Sequence, residues 1–150
     1  MMYTGLLTLH LLGVIVWVGG MFFAHMALRP AAVEVLEPPL RLPLMKRTLD
    51  RFFPWVWAAV VAILSSGYLI LFVMLRAGAG LHVHVMQGTG LIMVALFCYI
   101  YFLPYRQMGR ALADGDLPLA GSRLAVIRRV IGTNLILGLL TSVVATARLF

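Results

Sequence analysis

The chain has 150 residues, of which 63% are hydrophobic, with 12 Lys and Arg against 5 Asp and Glu. Ordinary soluble domains are only about half apolar, so this composition, with a mean hydropathy of +1.01, excludes a soluble class and indicates a membrane protein. The net charge of +7 would suggest nucleic acid in a soluble chain; here membrane topology accounts for it, and lipid, not nucleic acid, is the expected partner.

A first apolar run covers residues 5–28. Crossing a bilayer takes about 20 residues, and the opening Met-Met-Tyr-Thr-Gly lacks the basic side chain that usually begins a secretory signal, so a retained helix is expected. Further apolar runs cover 53–75, 81–103 and 126–147. The first three runs contain no Asp, Glu, Lys or Arg, and the fourth carries Arg128 and Arg129 in its first turn. Backbone in lipid must find its hydrogen-bond partners internally, so all four are expected to be helices. The expected fold is all-α, an integral membrane four-helix bundle running up-down-up-down, with residues 1–150 forming one domain. Neither a soluble domain nor an internal repeat is evident.

The first connection, 29–52, holds Pro30, Pro38, Pro39 and Pro43, which should stop the first helix and give an irregular or broken amphipathic linker. The second, 76–80, is short and glycine-rich, predicting a tight antiparallel hairpin. The third, 104–125, contains the turn signal Asp114-Gly115-Asp116. Ten of the 12 basic residues fall in or beside the first and third connections. By the positive-inside rule that side is cytoplasmic and both termini face the outer, periplasmic side. All five acids also lie in those two connections. No paired-carboxylate site, Ser-His-Asp set or phosphate-binding glycine loop is present, which gives general acid–base hydrolysis within the spans little support. Cys98 is the single cysteine, so no intramolecular disulfide framework exists.

Ionisable residues inside membrane helices are costly and therefore functional candidates; here they are histidines. His10 lies near the outer end of the first helix, and His82 and His84 open the third at the same surface. At about 100° per residue, His10, Gly13, Trp17, Met21 and His25 form one stripe, either a packing seam or the wall of a ligand site. Gly19 and Gly20 would let a flat ligand or a neighbouring helix approach closely. His25, about 22 Å further along the axis, cannot share a site with the outer histidines. It reads as a second-site ligand, a proton carrier or an interfacial residue. Trp55 and Trp57 suit an aromatic belt, and Ser65, Ser66, Asn134 and Thr141 suit interhelical hydrogen bonds.

The stretch "HVHVMQG" from His82 allows three readings. In a regular helix His82 and His84 point about 200° apart, whereas His82 and Met86 share a face. If His84 turns inward, with Gly88 leaving room for a porphyrin edge, His10 and His84 would ligate one b-type haem from facing helices. Trp17, Met21 and Gly88 would line the macrocycle, Arg76 and Arg148 would pair with the propionates, and His82 is the substitute for His84. The protein would then pass electrons to a redox partner or quinone. If His82 and Met86 act together, imidazole with a soft thioether suits Cu(I). The third reading is a wet helix entrance in an accessory subunit that binds no cofactor. The sequence leaves the oligomeric state open, a homodimer included.

The first helix, "LHLLGVIVWVGGMFFAHMALRP", resembles the opening helix of the CopD copper-resistance superfamily, which includes the HemJ-type protoporphyrinogen oxidases. The likeness rests on His10, Trp17, Gly19-Gly20, Phe22-Phe23 and Arg29-Pro30. "RFFPWVWAAVVAILSSGYLI", "HVHVMQGTGLIMVALFCYIYF" and "IGTNLILGLLTSV" are similar to the later helices of small CopD-like proteins. The resemblance implies a multi-pass protein of the bacterial inner membrane. Its HemJ-like side implies a b-haem bundle, a membrane haem oxidoreductase, with His10 as a ligand. Met86-Gln87-Gly88 stands where those enzymes typically carry a lysine, which points away from protoporphyrinogen oxidation itself. Its CopD side implies copper binding or transport across the membrane.

Overall fold

The computed structural model describes residues 2–74 and 80–147, with the side chains of 73 and 74 left out. Within them the chain is helical almost throughout: α1 Met2–Phe23, α2 Arg29–Val35, α3 Pro38–Leu69, α4 Leu81–Phe102, α5 Pro104–Ala113 and α6 Leu117–Ala147. Wider π-helical turns, Ala24–Leu28 and Ile70–Met74, follow α1 and α3 without a break. Four continuous helices, Met2–Val35, Pro38–Phe72, Leu81–Ala113 and Leu117–Ala147, are long and apolar enough to cross a membrane. This is an all-helical, multi-pass membrane protein.

The prolines behave differently from expectation. The first connection is not an irregular linker: the helix runs through Pro30 and breaks only at Leu36 and Glu37, both extended. Pro30 has no N–H to donate and its ring crowds the carbonyl four residues back. The π turn just before it, in which Arg29 N–H bonds Ala24 O, widens the ladder where that crowding falls. Glu37 is extended because it precedes Pro38, and Pro38 then starts α3 as a first-turn proline. Leu103, before Pro104, also leaves the helical region, with φ −113° and ψ −89° and not an extended conformation, and Pro104 then starts α5. At Asp114-Gly115-Asp116 the expected turn forms. Gly115 adopts φ 73°, Asp116 N–H bonds Ala111 O and Gly115 N–H bonds Leu112 O, a Schellman closure that favours glycine. Asp116 Oδ1 then caps α6 by accepting from Leu119 N–H at 3.0 Å.

Neighbouring helices all run antiparallel. A methyl group at Gly13 would lie 2.8 Å from Ile63 Cγ1, so α1 and α3 are in close contact there. Asn134 Nδ2 donates to Met93 O at 3.1 Å and Thr141 Oγ1 to Thr89 Oγ1 at 2.9 Å, joining α4 and α6. Gly138 receives Val18, joining α6 to α1. Gln87 Nε2 donates to Tyr68 Oη at 3.2 Å, and Trp57 packs edge-on against Phe97 with centroids 5.0 Å apart, so α3 adjoins α4. The order around the bundle is therefore α1, α3, α4, α6. Phe97, 2% exposed, fills its axis and meets Trp17 across the diagonal. Large apolar side chains such as Ile15, Trp55 and Phe72 are more than 60% exposed, as lipid-facing residues should be. Of the two α3 tryptophans Trp55 is exposed, as a belt residue would be, and Trp57 is a packing residue against Phe97.

The first and last described residues, Met2 and Ala147, with His10, His82 and His84, lie at one end of the bundle, the terminal end. The opposite, basic end carries the first and third connections. The connection 75–79 lies outside the described residues, as do Arg76 and Arg148.

Candidate functional site

Three of the four histidines lie over a glycine. His10, on α1, packs against α3 where Gly67 leaves space: a methyl group there would lie 3.2 Å from His10 Cε1. His10 Nδ1 is 3.1 Å from both Ile63 O and Ser66 Oγ. A carbonyl oxygen only accepts, so the proton belongs on Nδ1 and the Nε2 lone pair remains available. A ligating histidine is usually oriented in this way, its second nitrogen held by a protein acceptor. Ser66 in turn donates to Ala62 O in its own helix. The sequence places a Ser-Ser-Gly run at 65–67. That Ser66 and Gly67 form the seat of His10 depends on the α1–α3 register.

On α4 the helical geometry of "HVHVMQG" is regular from Leu81 onward. His82 and Met86 lie half-buried on one face, while His84 and Gly88 lie on the exposed face. His84 Nδ1 is 3.3 Å from Gly80 O, one turn back, which ties its ring to its own helix. Around Gly88 a methyl group would meet nothing within 4 Å. The inward turn of His84 that would set it opposite His10 is therefore not found, and Gly88 opens outward and is no slot in the interior. The cause is phase: a regular helix from residue 81 turns one of the two histidines in and the other out. The ring of His82 folds back over Gly80, where a methyl group would come within 2.7 Å of it. Gly80 is required for that rotamer.

The rest of the α1 stripe is a packing seam. Gly13, Trp17 and Met21 are buried, Trp17 meets Phe97 edge-on at 6.2 Å, and Gly20 receives the ring of Phe52. The cavity beside Trp17, Met21, Phe97 and Asn134 measures ≈10 Å³, room for about one water and far short of a macrocycle. Asn134 Oδ1 is buried next to it without a hydrogen-bond partner. His25 lies elsewhere, against Gly132 of α6 at the basic end. Among the described residues no three or more of His, Cys, Asp and Glu converge as a metal site.

His10 and the α4 residues share an end but not a level. Gly67, under His10, is adjacent in sequence to Tyr68, which bonds Gln87. His82 lies five residues before Gln87, so it is about 7 to 8 Å nearer the end of the bundle. Imidazole and thioether donors therefore occur at two successive depths.

Neither the curated proteins nor the solved structures contain a match to this chain. The model of one family, CopD (Copper resistance protein D), matches residues 46–148. That range takes in most of α3 and all of α4, α5 and α6, including His82 and Met86, and leaves His10 outside it. With more than half of its length so matched, the chain belongs to the CopD copper-resistance family.

Proposed function

We propose that the protein binds copper at the terminal end of the bundle and passes it into the membrane, as a copper-handling member of its family. The observation that carries this reading is the shared half-buried face of His82 and Met86, with His84 turned away. Imidazole with a thioether suits Cu(I), and two donors one turn apart on a helix can close on one ion. His10 Nε2, deeper by about one and a half turns, is a second nitrogen along the same path. The buried thioethers of Met21 and Met93 continue soft donors toward the middle of the bundle. Copper is cargo in this reading, and the positive-inside rule makes the terminal end the outer face of the inner membrane, where the ion would be collected.

A bis-histidine haem fits these residues poorly. His84 is exposed, and the core between Trp17 and Phe97 is filled by ring contact.

The test is elemental analysis and absorption of the purified chain after loading with Cu(I). The expected result is stoichiometric copper that is lost in His82→Ala and Met86→Ala and retained in His84→Ala, with no Soret band from haem-replete cells. Copper retention in both His82→Ala and Met86→Ala, or a Soret band abolished by His10→Ala, would refute the proposal.

A further inference from the structure

At the basic end, away from the copper residues, the π turn Ala24–Leu28, α2, α3 and α6 surround an open cavity of ≈40 Å³ lined by Ala24, His25, Arg29, Arg128, Met45, Leu49 and Ile131 among others. Its origin is local. The π turn of Ala24–Leu28 widens the helix beside it, and Gly132 lets the His25 ring lie against α6, a methyl group there being 3.2 Å from Cε1. The two arginines approach from different helices, and Arg29 feels the charges of both Arg128 and Arg41. Arg41 is turned to a backbone acceptor, Leu36 O at 3.4 Å. Among the described residues the one ion pair is Lys46 with Asp50, so no carboxylate neutralises Arg29 or Arg128. Like charges gathered beside an apolar cavity repel one another and call for an anion.

Two guanidinium forks suit the oxygens of a phosphate group, which accepts paired N–H bonds. The cavity has room for about three water-sized groups, too few for a nucleotide or a sugar ring. The surface that faces the cavity is apolar throughout, Arg29, Arg128 and His25 contributing carbon atoms to it, so the guanidinium N–H groups lie beside the cavity and not in its walls. It also lies where the apolar runs end, at Leu28 before Arg29 and at Ile127 beside Arg128, the depth of lipid headgroups. Basic pockets between membrane helices on that side are headgroup sites.

We propose that Arg29 and Arg128, with His25 beside them, bind the phosphate of an anionic phospholipid, whose hydrocarbon nearest the phosphate occupies the apolar cavity between Met45, Leu49 and Ile131. Inorganic phosphate shares the charge chemistry but has nothing to place against the apolar walls.

The test is native mass spectrometry of the full chain in dodecyl maltoside. The chain is offered phosphatidylglycerol, phosphatidylcholine or inorganic phosphate, with no copper present, so the result is independent of the copper reading. A retained phosphatidylglycerol adduct is expected, with little phosphatidylcholine. At about 1 kcal/mol per basic residue, Arg29→Gln and Arg128→Gln should each weaken binding about fivefold. Arg106→Gln, whose guanidinium lies over Tyr101 and Phe102, should leave it unchanged. Ala24→Leu fills the cavity without altering charge and should also weaken the adduct, which keeps the test open if an arginine variant misfolds. Equal retention of phosphatidylcholine, or an adduct indifferent to both arginines and to Ala24→Leu, overturns the proposal. Displacement of the lipid by excess inorganic phosphate assigns the pocket to a soluble anion and overturns the lipid source.

Discussion

Gly13 and Gly19 occur in the same helix, six residues apart, and the structure predicts opposite outcomes for the same substitution. A methyl group at Gly13 would lie 2.8 Å from Ile63 Cγ1 and 3.1 Å from Ala59 O. The side-chain contact can be relieved by rotating Ile63; the carbonyl cannot move without parting α1 from α3. Overpacking of this kind costs about 1–3 kcal/mol, and the gain in helix propensity from Gly to Ala returns at most about 1 kcal/mol. With the full propensity gain a net loss of up to about 2 kcal/mol is expected. For a chain of this size that corresponds to a fall in Tm of up to about 8 °C, at about 2–4 °C per kcal/mol. At Gly19 the same methyl group meets nothing within 4 Å, so only the propensity gain remains and Tm should hold or rise. The assay is thermal unfolding of both variants in one detergent, followed by circular dichroism. Ile63 also supplies the carbonyl that holds His10 Nδ1, so Gly13→Ala should weaken any ligand held through His10 and Gly19→Ala should not. Equal Tm values for the two variants would refute the close α1–α3 approach and with it the His10 seat.

Gly80→Ala should displace the His82 ring, which a methyl group would approach to 2.7 Å. Copper affinity in equilibrium dialysis should fall, with no such change in His84→Ala. Asn134→Ala removes the donor to Met93 O; interhelical bonds in membranes average about 0.6 kcal/mol and reach about 1.7, so unfolding by denaturing detergent should register a loss in that range. At the basic end Lys46 and Tyr105 Oη both bond Asp50 Oδ1, fastening α3 to α5. Exposed ion pairs contribute about 0–1 kcal/mol, so Tyr105→Phe, which keeps the ring against Phe53 at 4.8 Å, should lower stability by no more than about 1 kcal/mol.

The four apolar spans and their alternating course were legible because composition alone forces helices in lipid, and the basic residues then share one end. Depth was legible too, since chain direction gathers His10, His82 and His84. What the sequence did not reveal is rotational phase. Whether His82 or His84 turns in depends on where α4 becomes regular, and both spacings are equally good on paper. The prolines misled for a related reason. Pro38 and Pro104 each sit at a helix start, where the missing N–H costs nothing, so the proline-rich first connection became helix with one two-residue break at Leu36 and Glu37. The seats of the histidines were invisible because Gly67, Gly80 and Gly132 acquire their meaning only from the helix or ring laid against them.

Those seats bear on what the histidines can do. A ring pressed on a backbone with no Cβ beneath it has few rotamers left, so its orientation is set before any ligand arrives. For His10 the orientation is fixed further by the α3 carbonyl, which takes up Nδ1–H and leaves the Nε2 lone pair available. His84 has no comparable seat; its partner is one turn away on the same helix and its ring is open to the surroundings. Preorganisation therefore separates two histidines that differ by two positions in sequence. An ion moving inward needs donors that are fixed yet individually weak, because a single strong, closed site would hold it in place. A half-buried His–Met pair followed at greater depth by one anchored imidazole has that character, whereas two imidazoles facing one metal across the bundle would trap it.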